Sequence, residues 1–140
     1  MKGWSESYSI DANVILRYLL RDDEAQYTKA EAIVKDVAKG AVSIHCDPVI
    51  LGEVVWVLAS FYKLPRRKIF EILAPMLKAD EFRIPNKSRY IRALELYAHS
   101  IPHFGDACAC ATALEDCEGR LLSFDRELSD VQGIIRSETA

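Results

Sequence analysis

Residues 7–20 read SYSIDANVILRYLL. SYSI is a short β-type run, Asp11 follows it at once, and ANVILRYLL continues as an apolar helical run. A strand that ends on a carboxylate and turns straight into a helix sets the frame for the rest of the chain. Outward from it the same alternation repeats. The spacing of Ala25, Ala32, Ile33 and Val37 predicts an amphipathic helix over 24–38. Gly40 stops that helix, and AVSIHC at 41–46 reads as the second strand. Pro48 opens a helix to about residue 62 and Pro65 another to about residue 78. A short strand at 82–84 is bounded by Pro85, helices are expected over 87–99 and 104–116, and RLLSF at 120–124 and GIIR at 133–136 are the last strands. Strands alternating with helices imply crossover connections, hence an α/β fold of three layers, α/β/α, around a central parallel sheet. Ligands of such sheets bind at the carboxyl ends of the strands, so residues just after each strand carry the functional question.

The 140 residues suit one domain, 1–140, with no repeat, low-complexity run or long linker to divide it. Half the residues are hydrophobic and 28% are charged, enough to build a core. The net charge of −3 and a pI near 5.6 are unlike those of a typical nucleic-acid binder. Acids gathered around divalent cations would be neutralised locally, however, so net charge alone excludes nothing. No charge-free apolar stretch reaches the roughly 18 residues of a membrane span. The opening MKGWSESYSID has no apolar signal region, so nothing suggests export and a cytoplasmic location is expected. Cys46, Cys108, Cys110 and Cys117 lack CxxC spacing and read as reduced thiols rather than disulfides or a zinc site. His45, His99 and His103 lie without a Cys or His at zinc spacing and read as core or surface residues.

Three carboxylates stand alone in apolar surroundings: Asp11 within 7–16, Glu53 within 48–62 and Asp106 within 104–114. A fourth, Asp125, ends RLLSF beside Arg126 and Glu127. Asp11, Asp106 and Asp125 each fall where a helix or turn begins, so each could be only an N-cap. Glu53 resists that reading. Its helix is apolar on every face, which predicts burial. A buried carboxylate demands a cation, either a metal ion or a Lys or Arg from elsewhere in the chain, since its own helix has none. Carboxylates converging at a sheet edge repel one another unless a divalent cation is present. Oxygen-only ligation points to Mg²⁺ or Mn²⁺ rather than Zn²⁺.

Taken in order, SIDANVIL, VILGEVVWVL, FGDACACATA and LLSFDREL resemble the four acidic segments of the PIN-domain ribonucleases, and more narrowly of the VapC-type toxins of bacterial and archaeal toxin–antitoxin pairs. The resemblance covers essentially the whole chain. It implies metal ligands and catalytic acids at Asp11, Glu53, Asp106 and Asp125, with supporting polar roles for Asn13 and Ser123. Two departures stand out: Asp130 could assist or replace Asp125, and Leu128 stands where the family commonly has an aromatic residue.

The resemblance further implies an endoribonuclease using one or two Mg²⁺ or Mn²⁺ ions to activate water and steady developing charge, leaving a 5′-phosphate and a 3′-hydroxyl. Cationic handholds for RNA are sought in Lys63, Arg66, Arg67 and Lys68, and in Arg17 and Arg21; an ordinary solvated surface explains them equally well. As partners the resemblance implies an antitoxin protein and a second copy of the chain, with the helices over 12–20, 24–38 and 48–62 supplying surface for both. A response-regulator receiver would need paired acids after the first strand, and an Asp-nucleophile phosphatase an Asp-x-Asp; residue 13 is Asn. An RNA-processing PIN nuclease outside toxin systems, or a non-catalytic PIN domain that only binds RNA or protein, are the remaining alternatives.

Overall fold

A computed structural model describes residues 6–140. In order the chain forms β1 (Glu6–Ser9), α1 (Ala12–Leu20), α2 (Glu24–Ala38), β2 (Val42–His45), α3 (Pro48–Ser60), α4 (Arg66–Lys78), β3 (Phe82–Arg83), α5 (Lys87–His99), α6 (Phe104–Asp116), β4 (Arg120–Leu122), a 3₁₀ turn (Arg126–Asp130) and β5 (Ile135–Ser137). The α/β class and the parallel pairing expected from the alternation are both present. Among the described residues the strands form two sheets, β1-β2-β3 and β4-β5. Residues 1–64 with 72–85 make one compact unit, and residues 65–71 with 86–140 make a second.

In the first unit β1 pairs with β2 in the register Glu6↔Val42 to Ser9↔His45, and β2 with β3 through Ile44↔Phe82 and His45↔Arg83. Asp23 caps α2 by accepting from the Gln26 N–H at 3.0 Å. Asp47 caps α3 from the Val49 N–H at 2.8 Å, with Pro48 at the first helical position, where its missing N–H costs nothing. The core is supplied by Ile15 and Leu16 of α1 and by Leu51, Val54, Val55 and Leu58 of α3, all nearly or wholly buried. Each such side chain contributes roughly 1.5–3 kcal/mol by leaving water. Residues 72–78 of α4 also belong here, with Leu73 and Leu77 fully buried.

The second unit is built on the pair α5 and α6. Small residues on α6 (Ala107, Ala111 and Ala113) are buried together with Ala93 and Leu94 of α5. Arg89, near the start of α5, binds both Glu115 and Asp116 at the end of α6, which fixes the two helices antiparallel. The sheet beside them depends on two glycines. Gly119 and Gly133 have φ of +85° and +86°, and a Cβ on Gly119 would stand 2.0 Å from the Gly133 carbonyl oxygen. The Ile135 N–H donates to the Gly119 carbonyl at 2.8 Å, so this close approach sets the β4–β5 register, Arg120↔Ile135 to Leu122↔Ser137.

Candidate active site

Asp11 stands just beyond the end of β1, with Ile10 between, and adopts extended backbone geometry, φ −99° and ψ 171°, before α1 begins. One carboxylate oxygen, Oδ1, accepts from the Val14 N–H at 3.1 Å. Among the described residues Oδ2 has no donor, so the cap engages only one of the two carboxylate oxygens. Asp11 opens onto a cleft of about 240 Å³ that is also lined by Asn13, Arg17, Gln26 and Lys29. A wider cleft of about 730 Å³ is lined by Asp11 together with Asp36 and Asp47.

Asp125 repeats the device after β4. Its Oδ1 accepts from the Glu127 N–H at 3.0 Å, capping the 3₁₀ turn. Its own N–H donates to Ser123 Oγ at 3.0 Å. Arg136 braces this segment: its guanidinium donates to the Ser123 carbonyl at 2.7 Å, to Ser129 Oγ at 2.8 Å and to Glu138 at 2.9 Å. Asp130 closes the turn and is exposed, while Leu128 is buried.

Two sequence expectations change. Glu53 is not buried. The strip of α3 carrying Val49, Glu53, Trp56 and Ser60 faces solvent, with Val49 77% and Trp56 66% exposed. An all-apolar helix implies burial only if every face has a neighbour, and here Leu51, Val54, Val55 and Leu58 form the one buried face. Asp106 is not a cap either. His103 holds the N-cap position of α6 without a side-chain hydrogen bond, and Asp106 sits half-buried in the first turn.

The expected cationic handholds are mostly engaged. Arg17 Nη1 is 2.5 Å from Asp22 Oδ1, and Tyr62 donates to the other oxygen of Asp22 at 2.7 Å. Those two bonds, the tyrosine's first, hold the Asp22 carboxyl below its usual range. Arg21 binds Glu24 and lies 4.3 Å over the Tyr27 ring. Arg66 donates to the Tyr97 carbonyl at 2.9 Å, and Arg67 lies 3.3 Å from His99 Nδ1. Lys63 and Lys68 are exposed. The four cysteines are free thiols. Burial pushes Cys46 and Cys108 up to about 11 and raises Cys110 as well, so these three are protonated at neutral pH and poor nucleophiles.

Gln26, Lys29, Asp36, Asp47 and Arg136 escaped the sequence reading. Asp47 before Pro48 is a legible cap signal, whereas nothing local marks Lys29 or Arg136.

The donor chemistry of Asp11, Glu53, Asp106 and Asp125 suits a hard divalent cation. All are carboxylates, and among the described residues none has an ion-pair partner, while Arg17, Arg21, Arg89, Arg120 and Arg136 pair with other acids. Asp11 and Glu53 belong to the first unit, Asp106 and Asp125 to the second. Among the described residues no three His, Cys, Asp or Glu side chains are grouped closely enough to hold a metal ion.

Asp11 and Asp125 each lie just beyond a parallel strand and cap the element that follows. The PIN domain family model matches residues 8–134, a span that includes residues of both units, and the chain belongs to that family. PIN domains are generally metal-dependent nucleases. No curated protein and no solved structure matches the chain significantly. No helix among the described residues is long and apolar enough to cross a membrane.

Proposed function

We propose that this protein is a Mg²⁺- or Mn²⁺-dependent endoribonuclease acting as the toxin of a toxin–antitoxin pair in the cytoplasm. The observation that carries the reading is the repeated carboxylate after a parallel strand: Asp11 and Asp125 each fix one oxygen in a cap and, among the described residues, leave the other without a partner. The proposed ligands are Asp11, Glu53, Asp106 and Asp125. The bound cation would lower the pKa of a water molecule and stabilise charge developing on the phosphodiester. Asn13 shares the Asp11 cleft and is suited to orient substrate or water there, while Ser123 holds the backbone of Asp125.

Two surfaces support the partner reading. An apolar groove of about 320 Å³ in the first unit, lined by Val14, Tyr18, Ile33, Val37, Pro75 and Met76, suits the apolar face of an antitoxin segment. It draws on α4 where the sequence suggested α3. The exposed α3 strip with Val49 and Trp56 suits a second copy of the chain.

The test is cleavage of a labelled single-stranded RNA by purified protein in Mg²⁺, in Mn²⁺ and in EDTA. Cutting that requires the cation, and that Glu53→Gln abolishes while shifting stability by less than about 0.5 kcal/mol, is the expected result. Equal cutting in EDTA would overturn the metal mechanism. Adding a co-expressed partner that inhibits cutting separates a toxin from an RNA-processing nuclease.

A further inference from the structure

The cleft beside Asp11 contains a cation that the fold does not use. Of the basic residues on α1 and α2, Arg17 is fixed on Asp22 with its side chain only 24% exposed, and Lys35 is 3.5 Å from Glu31. Lys29 lines the Asp11 cleft and, among the described residues, has neither an ion-pair nor a hydrogen-bond partner. Gln26 stands one turn before it on the same helical face and lines the same cleft. The pairing that would make Lys29 merely structural, an ion pair with Asp11, is not formed. Among the described residues an unpaired ammonium and an unpaired carboxylate oxygen thus share one small cleft, whose lining also includes Val14, Ala30 and Ile33.

We infer that Lys29 is the handhold for an RNA backbone phosphate on the flank of Asp11. This rests on the nuclease reading above and specifies how that site takes its substrate. A chain of net charge −3 repels RNA at long range, so a phosphate must be met locally by a cation not already neutralised. Lysine meets that need, because a point charge on a flexible stem grips a phosphate without reading the base. Gln26 adds neutral donors and acceptors for the adjoining sugar–phosphate. Lys29 therefore sets affinity and the placement of the strand, not the chemistry of the cut.

The experiment measures binding of a fluorescent single-stranded RNA in EDTA, where cutting is stopped, across a salt series, together with kcat and KM in Mg²⁺. Each backbone phosphate contact to a single strand contributes a slope of about 0.7 in log K against log salt, so Lys29→Gln should lose about that slope and bind about fivefold more weakly near 0.1 M salt. KM should rise by a similar factor with kcat nearly unchanged. Lys35→Gln, the same charge change on the same helix outside the cleft, should leave slope and KM as they are. Equal losses in the two variants would reduce the effect to net charge and overturn the handhold. Normal cutting with an unaltered slope in Lys29→Gln would overturn it too, and would leave the nuclease reading standing. Wild-type protein that binds RNA through Lys29 but never cuts it in any cation would uphold the handhold and overturn the nuclease.

Discussion

Asp11 and Asp125 are made by the same local device and anchored by opposite means. Each follows a parallel strand and caps what comes next. Asp11 leads into nine residues of α-helix whose Ala12, Ile15 and Leu16 are buried, so apolar packing fixes its position. Asp125 leads into a five-residue 3₁₀ turn held by one buried side chain, Leu128, and by the three hydrogen bonds of Arg136. A carboxylate set by packing tolerates changes in its polar neighbours. One set by a single guanidinium does not.

Activity should separate the two acids most. Asp11→Asn is expected to lower RNA cleavage by at least about a thousandfold, since removing one charged ligand removes several kcal/mol of charge stabilisation. Asp125→Asn should cost about tenfold to a hundredfold, because Asp130 lies at the end of the same turn. Rate constants measured side by side decide it, and equal losses would mean that both anchorages place their acid equally well.

Next in size is a contrast in stability. Gly119→Ala should lose about 3 kcal/mol or more, from a strained positive φ and a collision with the Gly133 carbonyl. Gly52→Ala, on α3 in the first unit where a Cβ meets nothing within 4 Å, should gain about 0.5–1 kcal/mol. Urea melts of the two variants give the sign of each. Arg136→Met follows, with an expected loss of about 2 kcal/mol from its charge-assisted hydrogen bonds. Its cleavage rate should fall along with that of Asp125→Asn, and the double variant should be no worse than the single. Additive losses would show that Arg136 does not act through Asp125.

The smallest effect concerns the α1 end of the first region. Tyr62→Phe removes the stronger of the two influences that hold Asp22 low, so its titration should move up toward the ordinary carboxylate value, held partway by Arg17. The stabilisation from Asp22 is complete above the ordinary value and is lost as pH falls through the lowered one. The variant should therefore lose less stability across that acid window. An Asp22 titration by NMR that does not move would remove Tyr62 from the network.

Much of this was legible in the residues. α1, α2, α5 and α6 begin and end where periodicity and punctuation set them, because caps and stops are local chemistry. Strand ends drifted: β5 runs Ile135–Ser137 rather than over 133–136, since Gly133 is consumed by the turn against Gly119. The 3₁₀ turn after Asp125 went unread, being too short for periodicity to register. Glu53 was misread for burial because a helical wheel records which faces are apolar and not which of them find a neighbour. The unpaired state of Lys29 and the three hydrogen bonds of Arg136 are not legible in sequence, because which cations find partners is a property of the folded chain.

The exposed strip of α3 also gives the molecule an optical handle. The chain has two tryptophans, Trp4 and Trp56, and Trp56 stands three residues beyond Glu53 on the same solvent-facing strip. With Trp4 changed to Phe, all indole emission comes from a ring 66% open to water within one helical turn of that carboxylate. Any body that covers the strip would dry the ring and shift its emission to the blue, while a cation, were Glu53 to hold one as proposed, would change the field at the indole without drying it. Spectral position and intensity, read from one residue in one cuvette, therefore report on two occupants separately.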